Sequence, residues 1–271
     1  MHYKAIILVL ASDDDCLANT HWATTRILPD WKPMFPYFKQ VWESYHTYNP
    51  NLKVLYVYGN SKITPQPYDL VYKHVEENNY PGMITKTLLA MQDIEKNFNY
   101  DFLVRTNLST FWDLSKLEKR LDTLPRKKCL TGSFISRKQV EEICSTPNHS
   151  FHIPYFYVAG YDMIISRDLI QGIIPHSQAI IDTRVILDME DVSICTAIEK
   201  YCKVLPLPPA LTSFAVDMFM NNNFSLNAFY DKLYWSQSKN MDHFRVKNKG
   251  NRNIDKIILK TLLKEIYHAS F

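Results

Sequence analysis

Three short segments carry residue types that could do chemistry together. Arg105-Thr106-Asn107-Leu108-Ser109 follows the apolar run Phe102-Leu103-Val104, so a polar group closes what reads as a buried strand. In an open α/β sheet, ligands bind beyond the carboxyl ends of strands. Ala159-Gly160-Tyr161-Asp162 leads into Met163-Ile164-Ile165 and then Ser166-Arg167-Asp168-Leu169. That reads as a core strand, with a glycine where another backbone could come close and a serine placed to cap a short helix. Asp188-Met189-Glu190-Asp191-Val192 sets three carboxylates within four residues at the start of a helix. Acids there satisfy free N–H groups and complement the helix dipole, with Asp188 as N-cap and Asp191 as its N3 partner. The same dipole would hold a carboxylate ionised for work as a general base.

A fourth segment is set apart by charge. From Lys239 to Lys264 there are eight Lys or Arg against Asp242 and Asp255, or +6 in 26 residues of a chain whose net charge is +3. Arg245, Lys247, Lys249 and Arg252 fall between His243 and Arg252 with no acid among them. One reading is a solvated basic loop. The other is a clamp for a diphosphate, since closely set cations and backbone N–H groups suit phosphate oxygens. A nucleic-acid surface would spread its cations along a face with interleaved aromatics, whereas one short loop carries most of this excess.

The elements that must position these segments follow from hydrophobic patterning. Lys4–Ala11 and Leu52–Tyr58 read as buried strands, and Asp69–Val75 as a third, shorter one. Trp31–Tyr48 has roughly helical spacing. Met83–Asn97 shows one apolar stripe, Ile84, Leu88, Met91 and Ile94. Asp101–Arg105 is a strand. The order β-α-β-β-α-β predicts a mainly parallel sheet with helices on its faces. Further on, Leu114–Leu124, Asp191–Tyr201 and Ile254–Tyr267 read as helices, and Cys129–Ile135 and Phe156–Ser166 as strands.

Composition narrows the class. The 271 residues are 46% hydrophobic and 22% charged, which excludes wholesale disorder. Glycine is scarce at 6, and no phosphate loop of the GxxxxGK type occurs. Cys16, Cys129, Cys144, Cys195 and Cys202 form no CxxC pair and fit no zinc spacing, so reduced cysteines are expected. The longest apolar run, Ala5 to Ala11, is far shorter than the roughly 20 residues of a spanning helix. Asp13, Asp14 and Asp15 follow it directly, which does not suit a signal peptide. The expectation is a soluble, cytoplasmic protein. Oligomeric state is not set by these features.

Taken in order, the segments resemble inverting glycosyltransferases of the β-1,3-galactosyltransferase type, which have the GT-A fold. That pattern is a strand ending in Lys/Arg-Thr-Asp-Asp-Asp, then a Gly-Gly-Tyr-x-x-Ser-Arg-Asp-Leu-like segment, then Glu-Asp-Val. Here stand Arg105-Thr106-Asn107-Leu108-Ser109, then Ala159-Gly160-Tyr161 through Ser166-Arg167-Asp168-Leu169, then Glu190-Asp191-Val192. His243-Phe244-Arg245-Val246-Lys247 resembles the basic element such enzymes place over the donor diphosphate. The resemblance covers roughly residues 4–250, thinly outside these blocks. Compact, soluble relatives of this kind occur in large DNA viruses and bacteria, which would place a viral copy in the host cytoplasm.

The resemblance implies one α/β GT-A-like domain over residues 1–271, with a mainly parallel central sheet and helices on both faces. Residues 1–110 would form the nucleotide-binding half, 111–242 the acceptor half, and 243–271 a basic loop and terminal helix. The donor would be a nucleoside-diphosphate sugar and the acceptor a glycan hydroxyl, with no nucleic acid involved. Asp191 would take the acceptor proton, with Glu190, Gly160 and Tyr161 on the acceptor side. Arg105, Asn107, Ser109, His243, Arg245, Lys247 and Lys249 would face the donor. Ala11 and Ser12 would lie by the nucleobase and ribose, assisted by Arg26.

One departure concerns metal. The family's Asp-x-Asp binds Mn²⁺ or Mg²⁺, whereas Asn107-Leu108-Ser109 offers only neutral oxygens to a hard cation. Three alternatives remain: a weakly held metal helped by Asp113 or His243; replacement of the metal by Arg105, Arg245, Lys247 and Lys249; or a catalytically inactive protein that binds sugar nucleotides or glycans.

Overall fold

The computed structural model describes residues 1–13, 31–78, 80–136, 156–183, 189–207, 216–217, 225–248 and 251–269. The first apolar run is β1 (His2–Leu10). Its side chains alternate between two cores: Ala5, Ile7 and Val9 enter one, Ile6, Leu8 and Leu10 the other. A parallel strand buried on both faces needs helices on each side of its sheet. α1 (Trp31–Tyr45) supplies the first cover through Met34, Phe38, Val41, Trp42 and Tyr45. β2 (Leu52–Tyr58) has the expected bounds. β3 (Asp69–Val71) stops short of Val75, where a turn takes the chain away with Val75 N–H on the Tyr72 carbonyl at 2.9 Å. α2 (Gly82–Asn97) covers the opposite face through Ile84, Leu88, Met91 and Ile94. β4 (Asn99–Asn107) extends the expected strand by two residues at each end.

After β4 come β5 (Thr110–Trp112) and α3 (Leu114–Thr123). Glycines break both of the longer strands expected next. The first becomes β6 (Leu130–Thr131) and β7 (Phe134–Ser136), parted at Gly132 with φ +148°. A Cβ at Gly132 would stand 2.5 Å from the Val158 side chain and 2.6 Å from the Asp162 carbonyl oxygen. The second becomes β8 (Phe156–Val158) and β9 (Asp162–Ser166), parted around Gly160. Ser166 stands at the N-cap position of α4 (Arg167–Ile173) but makes no capping bond. Its hydroxyl accepts from Cys129 N–H at 2.9 Å and donates to Asp168 at 2.6 Å, so it ties β9 to the strand beside it.

The chain continues through α5 (Ser177–Asp182) and α6 (Glu190–Ala197), the latter running on as a π-helical turn, Ile198–Cys202. β10 (Val216–Asp217), α7 (Leu226–Ser238), β11 (His243–Arg245) and α8 (Arg252–Tyr267) follow. The basic segment is thus partly a strand.

The central sheet has six strands in the order β3-β2-β1-β4-β9-β6. β1 is parallel to β2 and β4, and β2 to β3, while β9 is antiparallel to both β4 and β6. Buried side chains of α1, α3, α7 and α8 share one core, and those of α2, α4 and α6 share the other. This is a mixed α/β domain with a mainly parallel sheet. Among the described residues no helix is long and apolar enough to cross a membrane. Cys129 and Cys195 are buried free thiols and Cys202 is half-buried, while Cys16 and Cys144 lie outside the described residues.

The strand order fixes where a ligand would sit. The chain moves from β1 to β2 and β3 on one side, then returns to lay β4 on the other side of β1. The carboxyl ends of β1 and β4 therefore flank the topological switch point, where open α/β sheets bind ligands.

Candidate functional site

Arg105 joins the first three segments. It is buried near the carboxyl end of β4, and its guanidinium is shared among residues far apart in sequence. Nη2 lies 2.5 Å from Glu190 Oε2, and Nε donates to Glu190 Oε1 at 3.2 Å. Nη1 donates to Asn107 Oδ1 at 2.8 Å and to the Gly160 carbonyl. Gly160 N–H in turn donates to Asp191 Oδ2 at 2.9 Å, while Asp191 Oδ1 accepts from Val192 N–H at 2.9 Å. Arg105, Asn107, Gly160, Glu190 and Asp191 are therefore one interlocked cluster. Arg105, expected to face a donor, is committed inside the protein instead.

The expectation for the carboxylates is met in part: Asp191 answers a free first-turn N–H of α6, that of Val192, but no carboxylate is its N-cap. Met189 holds the N-cap position with no side-chain bond, and Asp188 lies outside the described residues. Burial pushes the Asp191 carboxyl above its usual range, against the Arg105 charge and the Gly160 and Val192 N–H bonds. Burial also pushes Glu190 up, against Arg105 and with the Asp191 charge adding to it. Desolvation is thus the largest influence on both carboxyls, and it raises their basicity.

The fourth segment lies alongside. β11 pairs antiparallel with β5, setting Arg245 opposite Thr110 and His243 opposite Trp112. Arg245 Nη1 donates to the Ser109 hydroxyl, and its guanidinium lies 5.3 Å from the Tyr161 ring centre. Val246 N–H bonds the Ser109 carbonyl at 2.8 Å, and Lys247 is half-buried next to it. Tyr161 links the two groups, because its carbonyl accepts from Thr106 Oγ1 at 2.6 Å. Arg26 and Lys249 lie outside the described residues.

His243, expected at a diphosphate, is fully buried. Its ring stacks on Trp112 at 4.5 Å. Nδ1 is 2.7 Å from Asp242 and Nε2 is 3.1 Å from Asp162, with Arg120 3.3 Å from Asp242. Burial pulls the imidazole pKa down, but Asp162 and Asp242 outweigh it and push it up to about 9. The imidazolium holds β11 against β5 and β9.

The oxygens that would meet a divalent cation face cations of the protein's own. Asn107 Oδ1 accepts from Arg105, and Ser109 Oγ from Arg245. Asp113 caps α3 by accepting from Lys116 N–H at 3.1 Å, and both ring nitrogens of His243 face aspartates. Among the described residues no group of three or more His, Cys, Asp or Glu is arranged to hold a metal. This donor set does not fit Mn²⁺ or Mg²⁺.

Ala11 stands one residue beyond β1, just past the strand that was expected to include it. Its N–H bonds the Val57 carbonyl at 3.0 Å, and its carbonyl accepts from Lys86 Nζ at 3.0 Å. Lys86 pairs with Glu77 at 2.7 Å, and Glu77 also accepts from Gly59 N–H. The apolar stripe of α2 hides this buried pair.

No protein-family model matches the sequence, and no curated protein matches it. Among solved structures, a hypothetical transferase structure from Thermus thermophilus is similar at 12% identity with a TM-score of 0.35, over 75% of this chain and 90% of that one. A likeness of that degree carries no argument about family or activity.

Proposed function

We propose that this protein is a glycosyltransferase with a GT-A-like domain that moves a sugar from a nucleoside-diphosphate sugar to an acceptor hydroxyl, with inversion. The observation that supports this best is the meeting of residues 105–109, 159–161, 190–191 and 243–247 at the carboxyl end of β4. These are the blocks that carry the family resemblance, and the switch point of the sheet lies beside them.

In this reading Asp191 is the base. Glu190 is engaged by Arg105, whereas the Asp191 oxygens bond only backbone N–H groups, and each keeps a lone-pair direction for an acceptor O–H. Its raised pKa favours proton acceptance. The acceptor O–H proton goes to the Asp191 carboxylate as the acceptor oxygen bonds the anomeric carbon. The bond from that carbon to the diphosphate breaks, and its electron pair leaves with the diphosphate oxygen. Arg245 and Lys247 offset that developing charge, the task a metal would otherwise do. Asn107 faces the donor, the buried Ser109 holds Arg245 beside it, Gly160 and Tyr161 border the acceptor, and Ala11 and Ser12 border the nucleoside. Residues 1–110 serve the nucleotide, 111–242 the acceptor, and 243–271 close the site.

The second reading is a sugar-nucleotide or glycan binder without turnover, favoured by Asn107 and Ser109 in place of carboxylates. Incubation with a panel of nucleoside-diphosphate sugars, followed by assay of released diphosphate, separates the two. Turnover supports the enzyme, and binding without release supports the binder.

A further inference from the structure

We infer that the cavity between α2 and α5 binds a neutral saccharide, at a site apart from the Arg105–Asp191 cluster. The cavity has a volume of about 460 Å³ and is partly open to solvent. It lies between α2 and the chain that runs from the turn Ile174–His176 into α5. Small-molecule sites occupy roughly 300–1,000 Å³, so a mono- or disaccharide is of the right scale. Thr85, Leu89 and Gln92 line it at three- and four-residue spacing, which is one face of α2. Lys86 and Thr87 fall outside that face and are buried, with Lys86 on the Ala11 carbonyl. One helix thus serves the end of β1 and the cavity with different sides.

Hydrogen bonds fix the walls before any ligand arrives. Gln92 Nε2 donates to the Ser177 hydroxyl at 3.1 Å, and that hydroxyl donates to the Ile174 carbonyl at 2.7 Å. Tyr80, just ahead of α2, donates to the Ile181 carbonyl in α5. Both sides of the cavity are therefore tied to each other.

The lining selects the ligand class. His74, Thr85, Gln92, Ser177 and Gln178 contribute imidazole, hydroxyl and amide groups, and every other lining residue is apolar. No Lys, Arg, Asp or Glu lines the cavity. A phosphate, carboxylate or metal ion taken from water would find no opposite charge there, which is costly. A wholly apolar ligand would leave the amides and hydroxyls unanswered. A sugar ring meets both demands: its hydroxyls donate to and accept from uncharged polar groups, and its C–H face lies on the leucine and isoleucine side chains. Gln92 gives its amide N–H to Ser177, and Gln178 gives its own to Asp182 at 2.9 Å. Each keeps its Oε1 as an acceptor for a sugar O–H.

Calorimetry and saturation-transfer NMR on the full chain test this with glucose, galactose, N-acetylglucosamine and their disaccharides. Glucuronate and glucose 6-phosphate serve as charged comparators, and cyclohexanol as an apolar one. Wild type is expected to bind at least one neutral sugar, and the comparators at least about tenfold more weakly. Thr85→Val and Gln92→Leu keep the bulk and lose the hydrogen-bonding groups, and each should weaken sugar binding about three- to tenfold. Melting temperatures are measured first. Thr85→Val leaves the Gln92–Ser177 and Tyr80–Ile181 bonds in place, so a loss in that variant does not come from a loosened wall. Wild-type affinity in both variants puts the sugar elsewhere and overturns the assignment. So does the absence of binding by any neutral sugar, or tighter binding of cyclohexanol or a charged comparator. Binding is read without turnover, so failure of the glycosyltransferase reading and failure of this one are separate results.

Discussion

Gly160 N–H donates to Asp191 Oδ2 at 2.9 Å, joining residues 31 positions apart. The Gly160 carbonyl accepts from Arg105, so the peptide units on the two sides of this glycine reach Asp191 and Arg105. There is no room for more. A Cβ at Gly160 would meet the Arg105 guanidinium at 2.5 Å, and Glu190 prevents that side chain from swinging away.

Gly160→Ala should therefore lower stability by about 1–3 kcal/mol, the range for overpacking. It should also lower turnover by shifting Asp191. Urea denaturation and steady-state rates check this. Wild-type behaviour in both would mean that the cluster yields freely.

The Arg105–Glu190 pair is buried, so removing one partner strands the other charge. Glu190→Gln or Arg105→Met alone should lose about 3–5 kcal/mol. Arg105→Met with Glu190→Met should lose markedly less than the sum, because no charge remains uncompensated. Denaturant midpoints of the singles and the double close this cycle. Additive losses would show that the two residues act independently.

His243 links stability to pH. Its folded pKa is raised to about 9, from an ordinary value of 6.5. The charged form stabilises the fold fully below about 6.5, and that contribution is lost as pH rises through about 9. Melting temperature should fall across this window in wild type and less steeply in His243→Gln. Parallel curves for the two proteins would contradict the imidazolium bridge between Asp162 and Asp242.

Guanidinium groups at Asn107 and Ser109 lead to paired expectations. Arg245→Ala with Lys247→Ala should weaken nucleoside-diphosphate binding at least tenfold, since each charge-assisted contact contributes about 1.5–3 kcal/mol. Wild-type turnover should persist in EDTA. Unchanged affinity in the double variant, or complete loss in EDTA with recovery in Mn²⁺, would each contradict the idea that these cations do a metal's work.

Much of this was legible in the sequence, and the limits have physical causes. β1, β2, α2 and β4 are the structure's most regular buried elements, and their apolar runs mark them. α7 was not foreseen because its exposed side includes Leu226, Tyr234 and Trp235, which blurs the contrast a stripe needs. β5 and β11 are three residues each, too short for any period to show. The four blocks at the site were recognisable by residue type and order. What a linear reading does not contain is pairing: Arg105 finding Glu190, Lys86 finding Glu77, and His243 finding two aspartates. Each is a long-range or buried charge contact, and for Arg105 and His243 it turns an expected ligand-facing group into part of the framework.

The most direct test of the central claim is release of nucleoside diphosphate from a donor panel by wild type and by Asp191→Asn, per folded molecule. Asn offers one carbonyl where two N–H groups, of Gly160 and Val192, need acceptors, so a stability loss of about 1–3 kcal/mol is expected alongside. Folded fraction is therefore measured first. The account predicts turnover with at least one donor by wild type, and a drop of roughly 10²–10⁴-fold in Asp191→Asn with nucleotide affinity retained. No turnover with any donor, or equal specific activity in the two proteins, would contradict it.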